Sequence, residues 1–451
     1  MTAPVDPARL DDVPVTLSPA AAPANPLDLF RHDRLPRWAL IRNRFDAGAI
    51  DDVEAAVRAA FDANADAAAA IRPGQRVCIA VGSRGIDRIA DVTRAVVGIV
   101  RERGADPFVV PAMGSHGGAT PEGQLEVLAS LGITEDSIGA PIRSSMETVQ
   151  IGTVQGRIPV FIDRHAHDEA DLIIPINRVK PHTDFTGPVE SGLLKMIAIG
   201  LGKQRGADTF HSEGFATFAE LIPSVAEYIV GRLPIQFGIA LVENGYARLR
   251  QVELVSADRM YARERELRDE ADAHLARLPI AELDVLVIDR IGKDISGLGM
   301  DSNVVGRYYT GPTGRPPLVQ RIVVGDLTDE TEGNAVGIGM ADVVVRRAVD
   351  RMDAMKTFIN CITAKTPEGA RIALTVDTDR EAVDVAIACC LRVDPAAARI
   401  ARILDTKHLE WFYASEPLLD ELSRTGSCEV DGDVRPIAFG PDGSFLDELP
   451  A

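Results

Sequence analysis

The feature that most constrains this fold is a repeated unit in which a short apolar run ends in a glycine-bearing loop and a helical pattern follows. Residues 76–81 (RVCIAV) end at the loop 82–85 (GSRG), and residues 89–103 then have apolar side chains at helical spacing. A second run, 107–111, ends in the loop 113–120 (MGSHGGAT). This order predicts a βαβ unit with parallel strands. Loops that follow such strands lie at the carboxyl edge of the sheet, where ligands bind.

A third apolar run, 172–176, leads into the polar loop 177–184 (NRVKPHTD) and then into a glycine-rich segment. We therefore expect three polar loops to converge on one edge of the sheet. Helices are predicted at 215–230 and 256–278, with a strand at 237–242 between them. The charged stretch 263–272 is expected to be a solvated helix face.

A second α/β pattern begins near residue 283, with predicted strands at 284–288 and 320–324 and predicted helices at 341–352 and 380–390. The chain has 451 residues, which is more than one ordinary core accommodates. We predict an α/β protein of two α/β domains with mostly parallel sheets and an active-site cleft between the domains. The predicted division is a loose N-terminal arm at 1–35, an N-terminal α/β domain carrying the cofactor site at 36–280, and a C-terminal α/β domain at 281–451.

Composition excludes several functional classes. The net charge of −19 disfavours nucleic acid as a partner, because such binding depends on Lys and Arg neutralising phosphates. The five cysteines include no CxxC pair, which argues against a disulfide framework or a metal cage and favours a reducing compartment. No apolar run approaches the ~20 residues of a membrane-spanning helix. Because no export signal is visible either, we expect a cytoplasmic protein with no membrane partner.

Among the eight histidines, two follow predicted strands in glycine- or proline-bearing loops, namely His116 and His182. A histidine gains little structurally in such a loop, whereas a catalytic one is well placed there. Lys195 lies among apolar residues, where partial burial would lower its pKa and make it a nucleophile or an attachment point for a cofactor. A lysine that extends its amine to solvent is the alternative. The segment 200–203 (GLGK) lacks the spacing of a phosphate-binding loop.

These elements occur in the order of a known family. They are GSRG at 82–85, MGSH ending at His116, NRVKPH ending at His182, the glycine-bounded Lys195, His211 sixteen positions later, and GKDI at 292–295. In this order and setting, residues 70–300 resemble the nickel-pincer-dependent lactate racemases, a family of 2-hydroxy acid racemases and epimerases.

The resemblance implies an isomerase that uses a nickel-pincer nucleotide, pyridinium-3,5-bisthiocarboxylic acid mononucleotide nickel. By position, Lys195 would carry the covalent link to this cofactor and His211 would be the protein ligand to nickel. Ser83 would be a further cofactor contact. Imidazole is a suitable nickel ligand. The implied partners are the cofactor-synthesis enzymes and a small-molecule 2-hydroxy acid substrate.

The resemblance also assigns the acid–base groups. His116 and His182 would be the catalytic bases on opposite faces of the substrate carbon, one for each enantiomer. Arg84 and Lys293 would bind the substrate carboxylate or pair with charge on the cofactor. The mechanism implied is reversible transfer of the C2 hydride to the cofactor.

The sequence departs from the family at two places. The first loop typically reads Asp-x-Thr-Arg-Pro in the family and GSRG here, and Leu193 and Leu194 stand where small or polar residues are frequent. These changes favour a related 2-hydroxy acid over lactate as the substrate.

Two other functions remain open at this point. One is a metal-dependent hydrolase with zinc held by His116, His182 and His211 and with Asp184 as the base. The other is a non-catalytic homologue that binds metal or cofactor without turnover.

Overall fold

The computed structural model describes residues 25–82, 85–309 and 311–450. Its strands are β1 (Arg37–Asn43), β2 (Arg76–Val81), β3 (Asp106–Pro111), β4 (Thr148–Val154), β5 (Ile158–Asp163), β6 (Leu172–Arg178), β7 (Phe237–Glu243), β8 (Leu249–Ser256), β9 (Glu282–Ile291), β10 (Arg307–Tyr308), β11 (Gly311–Pro312), β12 (Leu318–Leu327), β13 (Val343–Val345), β14 (Leu374–Val376), β15 (Ile400–Ile403), β16 (Trp411–Ser415) and β17 (Cys428–Pro436).

Its helices are α1 (Val53–Ala63), α2 (Ala65–Ala68), α3 (Ile89–Glu102), α4 (Pro121–Ser130), α5 (Glu135–Ile138), α6 (Arg164–Glu169), α7 (Leu193–Lys195), α8 (Lys203–Glu213), α9 (Phe218–Val230), α10 (Met260–His274), α11 (Ser302–Val305), α12 (Arg346–Asp350), α13 (Ala354–Ala364), α14 (Asp379–Ala388) and α15 (Leu419–Ser423). A π-helical turn, Met196–Gly200, continues α7. None of the helices in these described ranges is long and apolar enough to span a membrane.

The first sheet has the strand order β3-β2-β6-β7-β8. Its first four strands are parallel, and β8 runs antiparallel to β7. The predicted βαβ unit is present, with α3 between β2 and β3. Strands β2, β3 and β6 are apolar along most of their length because both faces of the sheet are covered. The loops that follow these strands therefore begin at the same edge.

The second sheet has eight strands in the order β14-β13-β12-β9-β15-β16-β1-β17. Strands β9 and β12 to β15 are parallel, and β16, β1 and β17 continue the sheet in antiparallel pairs. The predicted α/β class with mostly parallel sheets is confirmed.

The N-terminal part of the described chain packs with this second sheet. Strand β1 pairs with β16 and β17, although it precedes the first sheet along the chain. Within the predicted arm, Pro26–Phe30 forms a 3-10 turn, and the backbone N–H of His32 donates to Asp384 of α14 at 3.2 Å. Residues 1–24 of the arm lie outside the described residues. The division of the chain into an arm and two domains that meet near residue 280 stays a prediction.

Two predicted helices differ from the structure. In the segment 341–352, Val343–Val345 forms β13 and only Arg346–Asp350 is helical. Three consecutive β-branched residues buried between β12 and β14 favour a strand there. The second predicted helix, 256–278, is shorter at both ends, because Leu249–Ser256 is a strand and the helix spans Met260–His274.

A fully buried ion pair braces the first sheet near its loops. Lys203 Nζ lies 3.0 Å from the carboxylate of Asp163, and both side chains have no solvent exposure. The same amine donates to Gln124 Oε1 at 3.1 Å, and Gln124 Nε2 donates to the carbonyl of Gly114 at 3.0 Å. Burial lowers the pKa of Lys203, and Asp163 opposes that shift. The pair thus connects the start of α8 to the end of β5, and Gln124 links the same amine to the loop that follows β3.

Replacing Lys203 should lower the free energy of unfolding, because the buried ion pair is then broken. Lys203→Met leaves Asp163 buried without its cation, so we expect a loss of about 3–5 kcal/mol in the free energy of unfolding. Adding Asp163→Asn should recover part of that loss. Urea denaturation measures it, with Lys356→Met at an exposed position as the control. A loss below about 1 kcal/mol for Lys203→Met would contradict the assignment.

Candidate functional site

The side chains of Lys195 and His182 contact each other through Nζ and the ring nitrogen Nε2. Lys195 ends the short helix α7, and His182 lies in the loop that follows β6. The backbones of Lys180 and Ser191 exchange hydrogen bonds of 3.0 and 3.2 Å, which hold these two segments side by side. The contact follows from this local pairing.

The other ring nitrogen of His182 faces Asp184. Nδ1 accepts the backbone N–H of Asp184 at 3.0 Å and lies 3.5 Å from its carboxylate. While Nδ1 accepts this N–H, a neutral ring carries its proton on Nε2. When Nδ1 instead carries the proton, that proton faces the Asp184 carboxylate and Nε2 is the acceptor towards Lys195. The second tautomer is the one that can take up and return a proton at Nε2.

Groups from two parts of the chain hold the backbone at His182. The carboxylate of Glu190 accepts the N–H of His182 at 2.6 Å and that of Gly187 at 3.1 Å. From the other side, Asn303 Nδ2 of α11 donates to the His182 carbonyl at 3.2 Å. Ser302 Oγ donates to the carbonyl of Thr183 at 2.5 Å. The loop that carries His182 is therefore held between the first sheet and the segment after β9.

His211 lies on α8 among aromatic rings. Its ring centroid is 5.3 Å from that of Phe215 and 5.8 Å from that of Phe218. The Phe215 ring is also 6.4 Å from that of His182, so it lies beside both histidines. In sequence, Phe215 was only the first residue of a predicted helix. The glycine before it, Gly214, has a φ of +80° and lies at the end of α8. This glycine was the signal available in the sequence for a break before Phe215.

The environment of His211 favours its neutral form. Burial, followed by the charge of Lys195, lowers its pKa to about 4. Its Nδ1 atom is buried and has no hydrogen-bond partner among the described residues. An unprotonated ring nitrogen shielded from water is the form of imidazole that binds a metal ion.

His116 is exposed on the loop after β3. That loop contacts the segment that joins Lys195 to His211, since the N–H of Gly114 donates to the carbonyl of Gly200 at 3.2 Å. Gly200 itself is closely packed, because a Cβ there would lie 2.5 Å from the Ala112 carbonyl oxygen. That His116 and His182 lie on opposite faces of a bound substrate stays a prediction.

Lys293 lies in the loop after β9, and its amine donates to the Gly297 carbonyl at 2.7 Å. Burial raises the pKa of Cys361, and the charge of Lys293 opposes this rise. Burial also raises the pKa of Tyr309, and the charges of Asp184 and Cys361 add to that shift. Lys293 and Asp184 thus act electrostatically on neighbouring buried groups. The predicted Ser83 and Arg84 lie outside the described residues.

The hydrolase alternative requires three histidines around one metal ion. In the ranges that the structure describes, which include His116, His182 and His211, no three His, Cys, Asp or Glu side chains are grouped so that they could hold a metal ion. The three-histidine site is therefore not formed in this structure.

No protein-family model matches the chain, and no curated protein matches it. Among solved structures, the chain is similar to the lactate racemase apoprotein from Thermoanaerobacterium thermosaccharolyticum. The two share 11% sequence identity with a TM-score of 0.45, and the alignment covers 84% of this chain and 94% of that chain.

The lowered pKa of His211 predicts a pH-dependent stability. Between the ordinary value of 6.5 and about 4, the unfolded chain binds a proton that the folded chain does not. The free energy of unfolding of the wild type should therefore fall, relative to that of His211→Gln, as the pH drops through this window. Above it the difference should be constant. Urea denaturation of both proteins measures this, and a difference that does not change with pH would contradict the lowered pKa.

Proposed function

We propose that this chain is an isomerase that racemises or epimerises a 2-hydroxy acid, using a nickel-pincer nucleotide linked to Lys195 with His211 as the nickel ligand. The observation that carries the proposal is the convergence of Lys195, His182 and His211 around Phe215. An amine, a proton-transfer group and a neutral imidazole are the three functions that the cofactor and the reaction require.

The residues present fit this cofactor. His211 offers a buried Nδ1 atom without a hydrogen-bond partner among the described residues. The half-buried Lys195 amine contacts His182, which can accept its proton and leave a nucleophilic amine for the covalent link. Conversion of Lys195 to an amide-type link would also remove the positive charge that His211 experiences.

The chain's own groups would handle the protons and the substrate charge. The cofactor, when bound, supplies the acceptor and donor of the C2 hydride. His182 takes the proton of the substrate hydroxyl at Nε2, and Asp184 stabilises the resulting imidazolium from the Nδ1 side. The Phe185 ring, 4.5 Å from the His182 ring, shields it from water. His116 performs the same step for the opposite enantiomer, and Lys293 with Arg84 binds the carboxylate.

The proposed roles of Lys195 and His211 can be distinguished by the mass of the protein and by its nickel content. In protein co-produced with the cofactor-synthesis enzymes, Lys195→Ala should lack the covalent mass increment. His211→Ala should retain the increment and lose nickel, because the imidazole is the protein's ligand. Intact mass spectrometry and metal analysis measure both quantities, with Lys356→Ala and His274→Ala as matched controls. Full increment in Lys195→Ala, or full nickel in His211→Ala, would contradict the assignment.

The hydride route predicts the fate of the C2 hydrogen. A 2-hydroxy acid deuterated at C2 and converted in ordinary water should give product that is still largely deuterated, since the same hydride returns. His116→Ala and His182→Ala should each slow interconversion in both directions, by about 10²–10⁴-fold for loss of a positioned base. Mass spectrometry of the product measures the label. Extensive washout with a competent substrate would indicate proton abstraction by the histidines instead.

A further inference from the structure

Helix α10 has an inward face that carries charge. The stretch 263–272 was predicted to be a solvated face, and this prediction is wrong for several of its residues. Among the charged ones, the side chain of Arg263 is 18% exposed and pairs with Glu253 of β8, and Glu264 and Arg268 are buried or nearly so. Glu264 is 1% exposed and the side chain of Arg268 is 17% exposed, whereas the side chain of Glu266 is 58% exposed. Glu264 and Arg268 lie one helical turn apart, on the side where Leu267 and Ala271 are buried. Two charged groups therefore point towards the protein.

The carboxylate of Glu264 lies at the start of the turn that carries Lys195. It accepts the N–H of Leu194 at 3.0 Å through one oxygen, and the N–H of Leu193 also acts to lower its pKa, while the other oxygen, Oε1, is buried without a hydrogen-bond partner among the described residues. These are the first N–H groups of α7, which have no partner within the helix. Burial raises the pKa of Glu264 to about 7, and the two backbone donors oppose this rise.

Gly192 leaves room for this carboxylate. A Cβ at Gly192 would lie 2.4 Å from the Glu264 carboxyl carbon, which is closer than two carbon atoms can approach. The backbone of Gly192 is extended, with φ of 173°, so its conformation alone does not require glycine. Position 192, three residues before Lys195, therefore requires glycine because the Glu264 side chain from α10 occupies the space that a Cβ would need.

One turn further along α10, Arg268 acts on the His182 loop. Its guanidinium lies 2.7 Å from the carboxylate of the exposed Asp269 and 3.8 Å from that of Glu190, which is 2% exposed. Glu190 in turn accepts the backbone N–H of His182. The same helix thus reaches both partners of the contact between Lys195 and His182.

We infer that α10 is the positioning element of the site: Glu264 sets the turn that carries Lys195, and Arg268 places a positive charge near Glu190, the carboxylate that holds the backbone of His182. Neither residue touches the reacting atoms, so both act through other residues. The functional meaning of the inference rests on the proposed function, but the positioning itself is a property of the protein without cofactor.

Glu264→Gln is the test variant, because it keeps the shape of the side chain and replaces the carboxylate that accepts the Leu194 N–H with a neutral amide. Amide hydrogen exchange at Leu194 should become about tenfold faster, the effect of losing one hydrogen bond to a charged group. The rate at which acetic anhydride labels Lys195, relative to Lys356 in the same digest, should change by about threefold or more, because a displaced Nζ loses its contact with His182. Glu266→Gln, the same substitution on the exposed face of α10, should change neither rate.

Gly192→Ala is the second variant, since its methyl group would displace the Glu264 carboxylate without altering it. It should reproduce both effects, and it decides the question if Glu264→Gln does not fold. Exchange at Leu194 and labelling of Lys195 at wild-type rates in the folded variants would overturn the inference. Equal effects of Glu266→Gln would do the same. A purely structural role predicts lower stability with unchanged Lys195 labelling in the folded protein. Because racemase activity is not measured, failure of the proposed function would leave these outcomes unaffected.

Discussion

The contact between Lys195 Nζ and His182 Nε2 is the interaction on which the rest of the site depends. Each partner belongs to a different segment, and the backbone pairing of Lys180 with Ser191 joins these segments directly. Helix α10 supports both from one side, and α11 supports the His182 loop from the other. Hydrogen bonds to the backbone thus hold the two segments that carry Lys195 and His182, and this brings the lysine amine to the histidine ring.

Desolvation governs the charges around this contact. Burial favours neutral His211, raises the pKa of Glu190 and Glu264, and lowers that of Lys203. Specific partners oppose the cost for the last three: backbone N–H groups for the carboxylates and Asp163 for the lysine. For His211 the opposing influence is the charge of Asp208 alone, and its Nδ1 atom, like Oε1 of Glu264 and Oδ2 of Asp163, has no hydrogen-bond partner in the described part of the chain. A buried polar atom left in this way is expected where a ligand supplies the missing contact.

The sequence predicted the βαβ unit and the α/β class because β-branched runs bounded by turn residues are local signals. The shared edge that brings the His116 and His182 loops towards the Lys195 segment followed from the parallel strands. The pairing of β1 with β16 and β17 could not be predicted, since it joins opposite ends of the chain. The role of Glu264 was hidden because a helix that carries charges all round gives no pattern separating inward from outward positions.

Nickel K-edge X-ray absorption on protein co-produced with the cofactor-synthesis enzymes tests the central claim most directly, because it reports the ligands of the metal. The account predicts sulfur ligands from the pincer and one imidazole, with the imidazole contribution lost in His211→Ala. Coordination by nitrogen and oxygen alone, by two or more imidazoles, or an unchanged spectrum in His211→Ala would contradict it.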